Sequence, residues 1–124
     1  MPVDAEQSPK TICIPASRPV RVSRVLPLLE HPHLQRLKYR RQLGVNHLVF
    51  PGAVHTRFEH SLGTLDLALR FCEKLPLAEA DARHLQAFAL LHDLGHGPYS
   101  HQIESVIPGD HHANGLRLLP DLKD

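Results

Sequence analysis

Cysteine and long apolar runs are both scarce in this sequence, and each shortage excludes a class of protein. The two cysteines, Cys13 and Cys72, are too few and too far apart for a disulfide framework or a CxxC zinc site. Reduced thiols are the simpler interpretation, and they indicate a cytoplasmic location. No apolar run approaches the roughly 20 residues that a membrane helix needs, and residues 1–10 lack the apolar segment of a signal peptide. We therefore predict no association with a membrane.

An excess of charge of either sign is also lacking. The 124 residues include 14 Lys and Arg against 13 Asp and Glu, so the net charge of +1 identifies no partner. The length fits one domain. A basic run is either a solvated helix face or a local anion site, and it comprises Arg36, Lys38, Arg40 and Arg41. This run lacks a regular pattern of interleaved aromatic side chains, so we do not expect it to bind nucleic acid.

Histidine, by contrast, is abundant, with 11 residues in the chain. Five of them lie close together near the C-terminal end: His92, His96, His101, His111 and His112. Metal binding and proton transfer near neutral pH both use imidazole, whereas an ordinary structural domain has little reason to concentrate it. We therefore predict that this stretch carries the functional chemistry.

The N-terminal third gives a weak pattern. Residues 1–22 contain four prolines and little periodicity, which indicates a tail or an extended lead-in, with one short strand near Thr11–Ile14. Ser23 is a candidate cap for a short helix. A further helical segment starts at His31-Pro32 and runs to Leu43, after which Gly44 suits a left-handed C-cap.

The remainder predicts mostly α structure. Val45–Phe50 fits a short strand or an extended loop, and apolar periodicity then predicts two longer helices, Thr56–Lys74 and Glu79–Leu94. Two shorter helical stretches are expected near Tyr99–Val106 and Asp110–Leu119. The chain is therefore predicted to be mostly α.

Two histidines fall on apolar stripes of the longer helices. His60 shares a second stripe with Leu67 and Phe71, and this pattern predicts a helix that is buried on two sides. His92 lies four residues after Phe88, on the stripe that we expect to face the core. Both imidazoles are therefore expected to point inward.

A satisfied core histidine is the ordinary explanation for either residue alone. However, Asp93 directly follows His92, and a buried carboxylate is costly unless it is paired or bound to a cation. One metal ion would satisfy His60, His92 and Asp93 together. Two imidazoles and a carboxylate suit Fe, Mn, Zn or a similar ion, with positions left for water and substrate.

Two long stretches carry a family resemblance. The segment LPLLEHPHLQRLKYRRQLGVNHLVFPGAVHTRFEHSLGTLDLA, followed by ALLHDLGHGPYSHQIES, resembles the HD-domain metal-dependent phosphohydrolases, and among them the dNTP triphosphohydrolase-like branch. The resemblance covers about Leu26 to Leu119. It implies an all-α fold with an HD-domain helical core, in which residues 23–124 form the N-terminal part of the domain after the lead-in of residues 1–22.

The resemblance also implies the metal site and part of the catalytic machinery. His60, His92 and Asp93 would be the metal ligands, for a divalent transition ion or Mg (Fe, Mn, Zn, Ni and Mg are not distinguished). His96 and His101 would reach the substrate phosphates. His101 would also transfer a proton. From the residues alone, a helix-terminal turn with surface histidines is the alternative interpretation of GHGPYSH.

Further roles carry over by motif. Glu104 matches an acidic residue that orients or assists His101. Arg57 and His111 would contact phosphate, and Gln42 of RRQLG matches a residue that faces the sugar. The chain departs from the family at His112, which stands where Glu is usual beside the matched histidine.

The activity that the resemblance implies is hydrolysis of a nucleotide, a dNTP cleaved to deoxynucleoside and triphosphate, by a protein that forms homo-oligomers. An HD-type phosphodiesterase or nucleotidase is an alternative. The family completes its metal site with a later Asp, and no late aspartate here lies in a matching context: Asp110, Asp121 and Asp124. We therefore expect a fragment of a longer reading frame, incomplete at the C-terminus. A truncated product, completion by another subunit, or a non-catalytic binding or oligomerisation module are the alternatives.

Overall fold

Helices account for most of the fold in the computed structural model, which describes residues 9–106 and 109–123. Five α-helices are present in these residues: α1 (Leu26–Glu30), α2 (Pro32–Gln35), α3 (Arg57–Lys74), α4 (Glu79–Leu91) and α5 (His111–Leu118). Short 3-10 turns occur at Ser23–Val25, Arg36–Tyr39, Asn46–Leu48, Ser100–Ile103 and Leu119–Lys123. The prediction of an all-α fold is confirmed for the described residues, apart from two short strands.

The core forms where α3 and α4 pack against each other and against the N-terminal turns. Phe58, Leu62 and Leu65 recur at helical spacing, so they share one buried face of α3. The other buried apolar side chains of this cluster are Val20, Val22, Val25, Leu29, Leu34, Leu37, Leu90 and Leu94. Burial of each such side chain contributes roughly 1.5–3 kcal/mol to stability. This packing fixes the relative position of α3 and α4, and both lead to the candidate site.

The limits of α3 follow from local chemistry. Thr56 is its N-cap, and its hydroxyl oxygen accepts a hydrogen bond from the backbone N–H of Glu59 at 3.2 Å. At the other end Leu75 is extended, as expected for a residue that precedes proline. The predicted helix Thr56–Lys74 is confirmed.

The predicted second buried stripe of α3 and the predicted core-facing stripe of α4 through Phe88 are wrong. Leu67 and Phe71 of α3 are exposed, and Phe88 of α4 is 69% exposed. α3 is buried mainly on its Phe58–Leu65 face, and α4 turns small residues such as Ala82 and Ala89 inward, which allows the two helices to approach closely. As a result, His60 and His92 lie half-buried at the edge of this packing and not in its centre.

Several local predictions also need correction. The segment from His31 does not form one helix to Leu43, because α2 tightens into the 3-10 turn Arg36–Tyr39. Ser23 does not cap a helix; its hydroxyl accepts a hydrogen bond from the backbone N–H of Lys10 at 2.8 Å. α4 ends at Leu91, and Val45–Phe50 contains the 3-10 turn Asn46–Leu48. Gly44 has φ +56°, in agreement with the left-handed conformation predicted for it.

The described part of the lead-in takes part in the core. The predicted strand is present as β1 (Thr11–Ile12), which pairs antiparallel with β2 (Val20–Arg21). Val20 and Val22 are fully buried against the helices. The domain boundary at residue 22 stays a prediction. Throughout residues 9–106 and 109–123, every helix is too short or too polar to cross a lipid bilayer.

Candidate metal centre

The three predicted metal ligands meet where α3 and α4 lie side by side. His60 lies one turn into α3, and His92 and Asp93 follow directly after α4. The Nε2 atoms of the two imidazoles are 3.3 Å apart. The Oδ2 atom of Asp93 lies 3.3 Å from Nε2 of His60 and 3.6 Å from Nε2 of His92. The structure therefore brings His60, His92 and Asp93 together as one group of donors, the first cluster.

A backbone contact fixes the orientation of the His92 ring. Its Nδ1 lies 2.8 Å from the carbonyl oxygen of Ala89. Because a carbonyl oxygen only accepts, Nδ1 carries the hydrogen, and Nε2 keeps its lone pair on the side of His60 and Asp93. A hydrogen bond of this kind typically holds a metal-ligating imidazole in place.

Asp93 is buried and carries its charge there. Burial alone would raise the pKa of Asp93, but interactions with the nearby His60 and His96 rings outweigh it and hold that pKa well below its usual range. Nη1 of Arg57 also donates to Oδ2 of Asp93 at 3.0 Å. The site thus offers an ionised carboxylate oxygen beside two imidazole nitrogens.

This donor set fits a divalent ion. Nitrogen and oxygen ligands lie about 2.0–2.1 Å from such an ion, which places neighbouring ligands of a tetrahedral site about 3.3 Å from each other. The observed separations of 3.3, 3.3 and 3.6 Å match that spacing. Side chains of the first cluster therefore have the chemistry and the proximity that metal binding requires.

A second group of imidazoles surrounds Glu104. Its Oε2 lies 2.8 Å from Nδ1 of His101, and its Oε1 lies 2.6 Å from Nδ1 of His111. The rings of His96 and His111 stack, with centroids 3.9 Å apart and planes inclined by 15°. We call His96, His101, Glu104 and His111 the second cluster; their potential ligand atoms all lie within 4.8 Å of one another.

The members of the second cluster differ in exposure and charge. Hydrogen bonds from His101 and then His111 lower the pKa of Glu104 to about 2, so it accepts as a carboxylate. Burial lowers the pKa of His96, which favours a neutral ring. The side chain of His101, in contrast, is 65% exposed. His96 can therefore donate from a buried position while His101 is able to exchange protons with solvent or substrate.

Arg57 and Gln42 lie behind the first cluster. Arg57 is only 1% exposed, and its guanidinium bridges the carboxylate of Asp93 and the backbone carbonyl of Gln42, with Nη2 3.4 Å from that oxygen. The half-buried Gln42 is thereby connected to Asp93 through its main chain. Contacts of either residue with a phosphate or a sugar stay predictions.

Arg36 belongs to this region, although the sequence placed it only in a basic run. Its guanidinium donates to the backbone carbonyl oxygens of Leu94 and of His96, the latter at 3.0 Å. These carbonyls follow the end of α4, where helical partners run out. Arg36 therefore holds the turn that joins the two clusters. Nothing in its sequence context distinguished it from the neighbouring basic residues.

The late aspartates have other contacts. Asp110 is the N-cap of α5, where Oδ1 accepts from the backbone N–H of Ala113 at 2.8 Å. Asp121 lies 2.9 Å from Nε2 of His33. Asp124 lies outside the described residues. Neither of the two described aspartates joins the first cluster.

Cavity volume does not single out these clusters, because cavities of about 430 Å³ lie both beside His92 of the first cluster and away from either cluster. A pocket of about 160 Å³ lies beside Glu104 and His111, whereas a cavity of about 400 Å³ lies at the other end of α3, beside Cys72 and Gln86. Among the described residues that line the larger cavity there is no histidine. We place the site at the clusters, because the convergence of ionisable groups carries the chemistry.

Comparisons with known proteins point to one family. A family model described as HD domain matches residues 57–124. Deoxynucleoside triphosphate triphosphohydrolase SAMHD1 of Bos taurus is 48% identical over 84 residues, which cover 62% of this chain and 14% of that protein. Uncharacterized protein MJ1154 of Methanocaldococcus jannaschii is 46% identical over 79 residues, which cover 64% of this chain and 17% of that protein.

The fold has a close structural counterpart as well. A crystal structure of a phosphohydrolase from Bacteroides thetaiotaomicron superimposes with a TM-score of 0.86 at 35% identity. The match covers 92% of this chain and 31% of that one. This chain thus spans less than a third of the length of each of these three proteins.

Proposed function

Since the chain belongs to the HD-domain family, we propose that it supplies the metal-binding and phosphate-facing part of a phosphohydrolase that cleaves a dNTP to deoxynucleoside and triphosphate. The observation that carries this proposal is the junction of the two clusters: Nε2 of His96 lies 3.6 Å from Oδ1 of Asp93. A cation site thus adjoins a group of imidazole donors, as hydrolysis of a polyphosphate requires.

The first cluster would hold the metal. Two imidazoles favour a transition ion such as Fe, Mn, Zn or Ni over Mg, which prefers oxygen ligands. When bound, such an ion supplies Lewis acidity toward a phosphoryl oxygen and toward water. Asp93 contributes the negative charge of the site, and Arg57 holds its carboxylate in place.

The second cluster would bind phosphate and move a proton. His96 and His111 offer N–H donors to phosphoryl oxygens. Glu104 accepts Nδ1–H of His101, so the doubly protonated ring can give its Nε2 proton to the 5′ oxygen as water attacks the α-phosphorus and the P–O5′ bond breaks; a proton of the attacking water is released to solvent. The deoxynucleoside then leaves with the proton and triphosphate remains. The exposure of His101 allows it to be reprotonated from solvent.

The test is turnover of a nucleotide panel by the chain loaded with Mn or Fe. We expect triphosphate and deoxynucleoside as products, and we expect His92→Ala to abolish both. His84→Ala is the matched control, because His84 is an exposed histidine on α4, the helix that His92 directly follows. Release of monophosphate or inorganic phosphate would instead support an HD-type phosphodiesterase or nucleotidase.

A non-catalytic module for binding or oligomerisation is the second candidate, because the two late aspartates that the structure describes, Asp110 and Asp121, do not join the first cluster. Stoichiometric metal without turnover of any nucleotide would favour it. Nucleic-acid binding is not proposed, because Arg36 of the basic run is engaged with backbone carbonyls. Homo-oligomerisation and a cytoplasmic location stay predictions.

A further inference from the structure

α5 approaches the turn after α4 at a pair of glycines, Gly95 and Gly115. A Cβ atom on Gly95 would lie 2.9 Å from Cα of Gly115 and closer still to the carbonyl oxygen of His111 and the backbone nitrogen of Gly115. Outside its own residue and the adjacent chain, a Cβ atom essentially never comes within 3.0 Å of another heavy atom. A Cβ on Gly115, in contrast, would be 3.4 Å from the nitrogen of Gly95. Of these two glycines, only Gly95 strictly excludes a side chain.

This backbone contact lies next to the second cluster. Gly95 directly precedes His96, and its neighbour across the contact is the main chain of His111. The rings of these two histidines stack at 3.9 Å. Nδ1 of His111 also reaches Glu104 at 2.6 Å. Any withdrawal of α5 from Gly95 would therefore separate His111 from His96 and Glu104.

The remaining described contacts of α5 are mostly at the protein surface. None of its residues is buried, and its N-cap Asp110 bonds only within the helix. Leu118, at its last turn, packs partly against the core. The close approach of the α5 backbone at His111 and Gly115 to Gly95 therefore contributes to the position of α5.

We propose that Gly95 is a positioning residue: its missing side chain lets α5 approach the turn and so places the His111 ring against His96 and Glu104. The importance of this placement for catalysis rests on the proposed function. The placement itself does not, and it has a readout of its own. In the Zn-loaded chain, ¹H–¹³C spectra of the histidine rings report the ring-current shift that His96 imposes on His111.

Gly95→Ala should bind Zn as the unmodified chain does, but the Cε1–H signal of His111 should lose its upfield shift. If nucleotides are turned over, their KM should rise about tenfold or more, because a phosphate donor is displaced, while metal content stays constant. Gly115→Ala should keep the upfield shift of His111 and should change KM by no more than about twofold. Gly52→Ala is the matched control, because nothing lies within 4 Å of a Cβ at that glycine.

A second variant covers the case in which Gly95→Ala does not fold. Gly115→Val adds bulk from the α5 side, and α5 contributes no fully buried residue, so the core should persist. It should reproduce the loss of the His111 shift. An unchanged His111 signal in Gly115→Val, or in folded Gly95→Ala, overturns the proposal. If the unmodified chain hydrolyses nothing, the proposed function fails while the ring spectra still decide the role of Gly95.

Discussion

Asp93 and Glu104 each gather imidazole rings, but in different surroundings. Asp93 is buried and lies within 3.6 Å of nitrogen atoms of His60, His92 and His96. Glu104 is half-buried and accepts hydrogen bonds from two rings. A buried carboxylate beside imidazole lone pairs favours a bound cation, whereas a partly exposed carboxylate bonded to Nδ1–H groups suits proton transfer. At the residue scale, the carboxylates divide the histidines into two chemical sets.

Glu104→Gln tests the role of Glu104 and of the two imidazole rings that donate to it. The amide keeps the size of Glu104 but removes its charge, and it cannot accept well from both Nδ1–H groups. We expect kcat for nucleotide hydrolysis to fall by about 10- to 100-fold, with metal content unchanged. Steady-state kinetics combined with metal analysis measures both. Glu73→Gln, an exposed position on α3, is the control and should keep full activity.

The pH dependence of this effect follows from the pKa of Glu104. Hydrogen bonds from His101 and His111 lower that pKa to about 2, so the carboxylate stays ionised above about pH 3. The ratio of wild-type to Glu104→Gln activity should therefore persist from about pH 4 to 9. A ratio that collapses toward one near pH 5 would show that Glu104 is not held as a carboxylate.

Asp66→Asn tests a buried ion pair away from the site. Asp66 is 4% exposed and accepts from Nε of Arg18 at 2.8 Å and from Nε of Arg70 at 2.9 Å. Both arginines are partly exposed, so they regain water when the pair is lost. We expect the free energy of unfolding to fall by about 1–2 kcal/mol at pH 7. Urea denaturation measures it.

The sign of the pH effect is set by the direction of the Asp66 shift. Burial alone would raise the pKa of Asp66, but the hydrogen bonds from Arg18 and Arg70 outweigh it and lower that pKa. The stabilisation is thus complete above the unfolded-state pKa of about 3.9 and is lost as pH falls through the lower folded-state value. The free energies of unfolding of wild type and Asp66→Asn should therefore converge at acid pH. Asp81→Asn, exposed on α4, should have nearly the same free energy of unfolding as wild type at either pH. A difference between wild type and Asp66→Asn that stays constant with pH would contradict the ion pair.

At the element scale, local signals predict the limits of α3 but not those of the segment after His31, and side-to-side packing of the helices has no local signal. The N-cap at Thr56 and the break at Leu75 are encoded within a few residues, so the limits of α3 could be predicted. The exposure of Phe71 and Phe88 depends on which faces of two helices meet, and apolar periodicity does not specify that. His60 and His92 were still paired correctly, because they lie at the edge of that packing.

In the candidate site too, contacts within a short motif could be predicted and contacts between distant segments could not. Asp93, His96 and His101 follow one another in a short motif, so their proximity was foreseeable. The contacts of Arg36 with the carbonyls of Leu94 and His96 join segments about 60 residues apart, and tertiary folding alone creates them. The close approach of α5 to Gly95 likewise has no local signal.

Arg36→Lys tests how the turn after α4 supports the first cluster. Lysine keeps the positive charge but lacks the planar fork that reaches two carbonyl oxygens. Since supporting contacts of this kind typically affect metal affinity by 10- to 100-fold, we expect Zn affinity to fall by about that factor. Competition with a fluorescent chelator measures it. Arg83→Lys, exposed on α4, is the control. Equal affinity in both variants would mean that the first cluster holds its shape without Arg36.

At the scale of the whole molecule, the first cluster connects the two longest helices. His60 belongs to α3, while His92 and Asp93 end α4, and the core beneath them packs these helices together. An ion held by all three residues binds only the folded chain, because unfolding separates its ligands. Metal binding is therefore coupled to stability.

We accordingly expect added Zn or Mn to raise the free energy of unfolding, by about 2.7 kcal/mol when the free ion is at 100 times its Kd. Metal analysis should find one ion per chain. His92→Ala should lose both the ion and the stabilisation, whereas His84→Ala and Glu104→Gln should keep them, because neither residue belongs to the first cluster. A second ion that disappears in Glu104→Gln would assign metal binding to the second cluster as well. Stabilisation by metal that survives His92→Ala would remove the first cluster as its cause, because two remaining ligands bind an ion far less tightly than three.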